Sequence, residues 1–214
     1  MTRVAILGAG NVGAALGKGW ARAGHTIVYG VPAPGAKHAN AARDAGNAKV
    51  LAVSEAVRDA DVIVLAVPWH EAASAVQACG NLTGRILIDV TNPLEMTKDG
   101  LGLALGFDTS GGETVASLAP GAFVFKTLNQ VGYAAMDDAS GYVAPPTIFV
   151  ASDDAANKPV VMQLVRDLGF EALDAGPLRI ARLLEPMAML WIDQALNRGA
   201  AQDNAFAFLK RKTN

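Results

Sequence analysis

Val4-Ala5-Ile6-Leu7-Gly8-Ala9-Gly10-Asn11-Val12-Gly13-Ala14-Ala15 decides the fold. An unbroken apolar run passes through a G-x-G-x-x-G turn into a helix-forming stretch. Consecutive apolar residues without polar alternation read as a strand buried on both faces. Gly8 then makes the tight turn, Gly10 lets the backbone approach a pyrophosphate, and Gly13 lets the helix pack closely on the strand. The helix start presents free N–H groups and a partial positive charge to that anion. A glycine-rich turn can also be plain architecture, so context decides. Here a strand precedes the turn, a helix follows it, and a second strand candidate, Thr26–Tyr29, comes next.

Outward from this loop, short apolar runs alternate with helix-like stretches, the pattern of a parallel sheet covered on both faces. The further strand candidates are 62–67, 86–90, 123–125, 147–151 and 171–174. Gly24, Gly80 and Gly169 stand where helices should stop, and Pro159 suits a first helical turn, where its missing N–H costs nothing. The expectation is an α/β fold: a Rossmann-type, doubly wound, mainly parallel sheet over 1–177, with a small C-terminal helical extension over 178–214. Two regions break the alternation. Residues 94–121 carry six glycines and read as a mobile loop with one helical turn at most. From Leu178 onward the apolar spacing is helical, with Gly199 as its stop and 205–210 as a final short helix. The apolar face from Ile180 to Trp191 is core or a contact for a homodimer, and Glu185-Pro186 predicts a kink.

Bulk properties fit one α/β domain with a modest appendage. The chain has 214 residues, 51% apolar and 18% charged, and a net charge of −2. That balance argues against nucleic acid or an anionic membrane as partner. A chain of this size buries roughly 70% of the surface its unfolded form exposes. Cys79 is the single cysteine, so no intramolecular disulfide or cysteine cage forms, and a buried, inert thiol is expected. The N-terminus runs straight into a strand and no apolar run approaches the ~20 residues of a membrane span, which points to the cytoplasm.

The choice between NAD and NADP is made at the end of the second strand. NAD proteins place a carboxylate there to accept from the ribose 2′-OH. No acidic residue occurs from Met1 to Arg43, whereas Arg3, Lys18, Arg22, Lys37 and Arg43 do. That balance favours NADP, with Lys37 and neighbouring His38 toward the 2′-phosphate. Lys37 as a solvated loop residue, and NAD as the cofactor, stay open.

Four spaced motifs carry a resemblance. The opening loop, Val64-Leu65-Ala66-Val67-Pro68-Trp69, Asp89-Val90-Thr91-Asn92-Pro93 and Asp174-Ala175-Gly176-Pro177-Leu178 with Ala181-Arg182-Leu183-Leu184-Glu185 occur in this order. Together they resemble the NADPH-dependent coenzyme F420 reductases (F420H2:NADP oxidoreductases) and the related cytosolic reductase domain of the STEAP metalloreductases. The resemblance implies that Gly8, Gly10, Asn11 and Val12 hold the pyrophosphate. It puts Ala66, Val67 and Pro68 along the nicotinamide ribose, and Asn92 and Pro93 near the nicotinamide. It also implies a flavin-type or deazaflavin ring as hydride acceptor. Family members follow the second strand with Gly-Ser-Arg, whose Ser and Arg hold the 2′-phosphate. The matching residues here are Gly30, Val31 and Pro32, with Lys37 a partial substitute. The membrane helices of the STEAP proteins have no counterpart in this sequence.

Hydride transfer between a nicotinamide and a flavin-type ring needs alignment and water exclusion more than acid–base groups. The absence of a Ser-His-Asp grouping, an H-E-x-x-H motif or a metal-ligand cluster fits that chemistry. His25, at a strand start, reads as structural, and His70 as a cofactor border or a helix entry. Lys126 and Asn129 follow a strand and could orient a ring carbonyl, or Lys126 could be solvated. Trp69 and Trp191 read as packing. The sequence therefore predicts an NAD(P)H-dependent oxidoreductase with coenzyme F420 or a flavin as acceptor. The alternatives are an imine or carbonyl reductase and a dinucleotide sensor without turnover.

Overall fold

Strand β1 (Arg3–Leu7) lies inside an eight-stranded sheet, and nine further strands follow it in the chain. These are β2 (Thr26–Val31), β3 (Lys49–Ala52), β4 (Val62–Leu65), β5 (Ile86–Asp89), β6 (Leu94–Thr97), β7 (Gly100–Leu103), β8 (Phe123–Lys126), β9 (Thr147–Ala151) and β10 (Glu171–Gly176). The sheet runs β10-β9-β8-β5-β4-β1-β2-β3, while β6 and β7 form a separate antiparallel hairpin. Strands β3 through β8 in that order are all parallel. The β9–β10 pair joins them at an antiparallel bridge of Lys126 to Ala151. The helices are α1 (Asn11–Arg22), α2 (Ala39–Asp44), α3 (Val53–Ala56), α4 (Ala72–Ala78), α5 (Gly111–Leu118), α6 (Tyr133–Asp137), α7 (Lys158–Asp167) and α8 (Ala181–Asn197). This computed structural model describes residues 1–98 and 100–211.

Period-2 alternation within the buried strands builds a core on each face. Val4, Ile6, Val62 and Val64 point into one cluster with Leu16 and Trp20 of α1 and Val161 and Leu164 of α7. Ala5, Leu7, Ile63 and Leu65 point into the other with Ala72 and Val76 of α4 and Val115 of α5. Trp20 is fully buried, and its indole N–H donates to the Leu164 carbonyl at 2.8 Å, tying α1 to α7. The doubly wound sheet with a long C-terminal helix is thus the expected architecture.

Three sequence expectations need correction. The stretch 94–121 contains regular elements: Leu94 pairs with Leu103 in the β6–β7 hairpin, and α5 follows. Ser110 caps α5, accepting from the Glu113 N–H at 3.2 Å and donating to Glu113 Oε2 at 2.7 Å. That N-cap satisfies a backbone N–H of the first turn and opens a helix despite Gly111 and Gly112. Residues 205–210 form no helix. They run beside the start of β9, where the Thr147 N–H donates to the Phe206 carbonyl and the Phe208 N–H to Thr147 Oγ1, both at 2.9 Å. The Phe208 ring meets Phe149 edge-on at 6.1 Å. Strand β3, a four-residue strand beginning at Lys49, has too little apolar run to stand out in sequence.

Candidate functional site

The loop between β1 and α1 has the geometry its glycines require. Gly8 sits at φ +99°, which disfavours a side chain, and a Cβ there would lie 2.6 Å from the Ala66 carbonyl oxygen. A Cβ on Gly13 would come 2.2 Å from the Gly8 carbonyl oxygen, so only glycine permits this helix–strand approach. Gly10 faces open space, with nothing within 4 Å of a built Cβ. Its helix α1 has no side-chain cap and no acidic residue in its first turn. The N-terminus is therefore open to an anion.

Helix α5 offers a contrast, because the chain itself supplies its anion. The Glu185 carboxylate of α8 accepts from the Gly111 N–H at 2.9 Å and the Gly112 N–H at 3.0 Å.

Two cavities flank the glycine loop. One, of about 470 Å³, opens at the C-terminal ends of β1, β4 and β5 and is lined by Gly10, Asn11, Val12, Ala66, Pro68 and Asn92 among others. It lies at the switch point, since from β1 the chain proceeds to β2 on one side and β4 on the other. The other, of about 400 Å³, lies between the ends of β1, β2 and β3 and helix α4, with Gly8, Gly30, Pro32, Val53 and Ala75 in its wall. Val67 borders both. A third cavity of about 270 Å³ is walled by Asn129, Tyr133, Trp191 and Gln202, and shares Val12 and Asn92 with the first.

The structure thus gathers Gly8, Gly10, Asn11, Val12, Ala66, Val67, Pro68 and Asn92 around connected space. Three expected site residues stand outside these walls. Pro93 is buried beside the first cavity, its carbonyl accepting from the Ala104 N–H at 2.7 Å. Val31 is 3% exposed, turned into the interior as the last residue of β2. Lys37 is exposed on a short 3₁₀ turn, 36–38, with His38 half-buried beside it.

Asn92 is held in place. Its Nδ2 donates to the Asn129 carbonyl at 3.0 Å, and Asn129 Nδ2 donates to its Oδ1 at 3.0 Å and to the Leu184 carbonyl at 3.2 Å. Trp69 and the exposed His70 line the first cavity, with His70 Nε2 3.7 Å from Glu71. Trp191 lines the third, its indole N–H donating to the Asn204 carbonyl at 2.7 Å. His25 is structural, accepting from the Thr2 N–H and contacting Asp167 at 3.0 Å. The Cys79 thiol is buried and pushed up to about 11 by that burial, so it stays protonated and unreactive.

Lys126 departs most from expectation. It is neither solvated nor at a cavity mouth, but fully buried. Its ammonium donates to Asp89 at 2.9 Å and to the Thr91 carbonyl at 2.6 Å, and lies 3.0 Å from Glu185. Burial alone would pull its pKa down; the Asp89 and Glu185 carboxylates outweigh it and leave the ammonium above the ordinary lysine value. This cluster joins β5, β8, α5 and α8 directly beneath the Thr91-Asn92 wall. Each charge ends or interrupts an apolar run (Ile-Leu-Ile-Asp89, Phe-Val-Phe-Lys126, Leu-Leu-Glu185), a signal that sequence reasoning could have used. Among the described residues there is no His, Cys, Asp and Glu grouping suited to a metal, and no helix long and apolar enough to cross a membrane.

Residues 3–93, from β1 to the Asn92-Pro93 wall, match the family model for NADP oxidoreductase, coenzyme F420-dependent. Over this stretch the chain is similar to that family. The chain is 30% identical over 191 residues to the metalloreductase STEAP3 of Rattus norvegicus, covering 87% of this chain and 36% of that protein. It is 27% identical over 142 residues to the F420-dependent NADP reductase of Methanocaldococcus jannaschii, covering 64% of this chain and 63% of that one. The chain therefore spans about a third and just under two thirds of these relatives. A crystal structure from Arthrobacter sp. FB24, named for an F420-dependent NADP reductase, superposes with a TM-score of 0.88 at 27% identity, over 98% of this chain and all of that one. Likeness to that structure thus extends past residue 93 to α8. The residues present fit most of a nicotinamide dinucleotide: an open cradle at Gly10 and an uncapped α1 for the pyrophosphate, and a cavity on either side for the two ends.

Proposed function

We propose that this chain transfers a hydride between a nicotinamide dinucleotide and a flavin-type or deazaflavin (F420) ring. The observation that carries the reading is the shared wall: Val12 and Asn92 border both the switch-point cavity and the cavity beneath Trp191. Because they share these lining residues the two spaces adjoin, and planar rings seated in them would stack in direct contact where the spaces meet, as hydride transfer needs. The dinucleotide, when bound, supplies the hydride chemistry. The α1 N–H groups bind its pyrophosphate. Asn92, locked by Asn129, offers a fixed amide at the nicotinamide end, and Val12, Val67 and Trp191 exclude water. Pairing of two copies through exposed Leu183, Leu190 and Leu196 of α8, and a cytoplasmic location with the cellular dinucleotide pool, belong to the same reading. Light scattering on the purified protein tests the pairing.

Oxidation of NADH and NADPH followed at 340 nm, with riboflavin, FMN, FAD and F420 each offered as acceptor, tests the chemistry. Turnover with at least one ring is expected, and a Trp191→Ala variant should raise the KM for the acceptor more than that for the dinucleotide. Turnover of cyclic imines or ketones, with none of the rings reduced, would overturn the reading.

A further inference from the structure

The cavity between β1, β2, β3 and α4 lies beyond the end of the second strand, where this fold would seat the 2′ position of an adenosine ribose. Its wall has no cation among its lining residues. Pro32 lines it with neither an N–H nor a side-chain donor, while Val31 is turned into the core. The polar residues of its lining are Ser54, Ser74, whose hydroxyl donates to the Glu71 carbonyl at 2.9 Å, and Glu71, whose carboxylate lies 3.7 Å from the exposed His70 Nε2.

The cations of the first 43 residues are engaged elsewhere or in solvent. Arg3 begins β1, at the opposite end of the sheet, 3.8 Å from Asp59. Lys18 and Arg22, late in α1, pair with Asp137 at 2.8 and 3.5 Å. Arg43 contacts Asp44 at 3.3 Å. Lys37 is exposed and stands outside the lining, so whatever attraction it exerts acts through water and is screened by salt. Two hydroxyls and a carboxylate suit ribose hydroxyls, which donate hydrogen bonds, and oppose a dianionic phosphate.

We propose that this chain takes NADH in preference to NADPH, with the Pro32 and Glu71 walls of this cavity as the discriminating elements. The preference departs from the cofactor in the family's name. It rests on the dinucleotide half of the functional reading and is independent of the acceptor.

The test is equilibrium titration of the purified protein with each dinucleotide at low and high salt, read by fluorescence or calorimetry. The dissociation constant for NADPH is expected to exceed that for NADH by about tenfold. Added salt should narrow the ratio, because the difference is a repulsion. Pro32→Arg and Glu71→Gln should each tighten NADPH relative to NADH. Binding of NADPH as tight as or tighter than NADH would overturn the proposal, as would variants that leave the ratio unmoved. Because no acceptor is present, failure to reduce any flavin leaves this ratio standing. A chain that binds neither dinucleotide sinks both readings together.

Discussion

Gly10 and Gly13 are three residues apart and answer to different constraints. A side chain on Gly10 enters open space that the pyrophosphate would occupy, whereas one on Gly13 strikes the Gly8 carbonyl. Gly10→Glu should therefore keep the wild-type melting temperature and lose dinucleotide binding. Gly13→Ala should lower stability by about 2 kcal/mol or more, as overpacking does, with binding falling alongside. Similar melting temperatures for the two variants would show that the loop is not packed this way. Both roles are legible in sequence because the motif's geometry is local. For Lys126 the sequence shows only a charge ending an apolar run, and its pairing is not legible because the partners come from β5 and from a helix 59 residues downstream. Removing its charge leaves Asp89 and Glu185 facing each other without water, and Lys126→Met should cost about 3–5 kcal/mol in denaturant unfolding. Lys126→Arg keeps the charge without the volume match and should cost less. A neutral Lys126→Met would mean that the cluster carries no net ion-pair stability.

At the scale of elements, the contact of α5 with α8 was the least readable in sequence. Six glycines between 94 and 121 argue for a loop, and glycine in a helix costs up to about 1 kcal/mol relative to alanine. The compensation is remote: Glu185 accepts two N–H groups of the first α5 turn from 73 and 74 residues away. Arg182 reinforces it with a two-pronged bond to Glu113, Nε to Oε2 at 2.8 Å and Nη2 to Oε1 at 2.7 Å. That guanidinium holds the Glu113 carboxyl below the usual carboxylate range. A depressed folded-state pKa contributes stability above the unfolded value, near 4.3 for glutamate, and loses it as pH falls through the folded value. The stability gap between wild type and Arg182→Gln should thus be constant from neutral pH to about 5 and close below about 4. The pair is partly exposed, so the gap will be small and smaller in high salt. A gap that persists unchanged to pH 3 would show that Arg182 acts by packing alone.

Across the whole molecule, the sequence conveys the alternation of buried strands and helices. It does not convey the antiparallel seam at Lys126–Ala151, nor the tail from Asn204 to Phe208 that returns to β9. Both depend on contacts between segments far apart in the chain, where no local pattern reports the partner. The division into a 1–177 domain and a 178–214 appendage is drawn from the helical apolar spacing after Leu178. Against it stand Glu185, 1% exposed among groups of β5, β8 and α5, and Leu178, Leu184 and Ala188, buried under the same helix. A helix whose buried carboxylate accepts from the Gly111 and Gly112 N–H groups and contacts Lys126 cannot leave without stripping partners from both, so its opening should coincide with that of the sheet. Native-state hydrogen exchange decides the matter, because amides released by one cooperative opening share one free energy. Amides in the first two turns of α8 should exchange with the same denaturant dependence as those of Ile63 and Val64 in β4. Earlier, sub-global exchange of α8 would make residues 178–214 a unit that detaches on its own. The cavity under Trp191 would then open and close with it, and the acceptor constant, but not the dinucleotide constant, would follow that equilibrium.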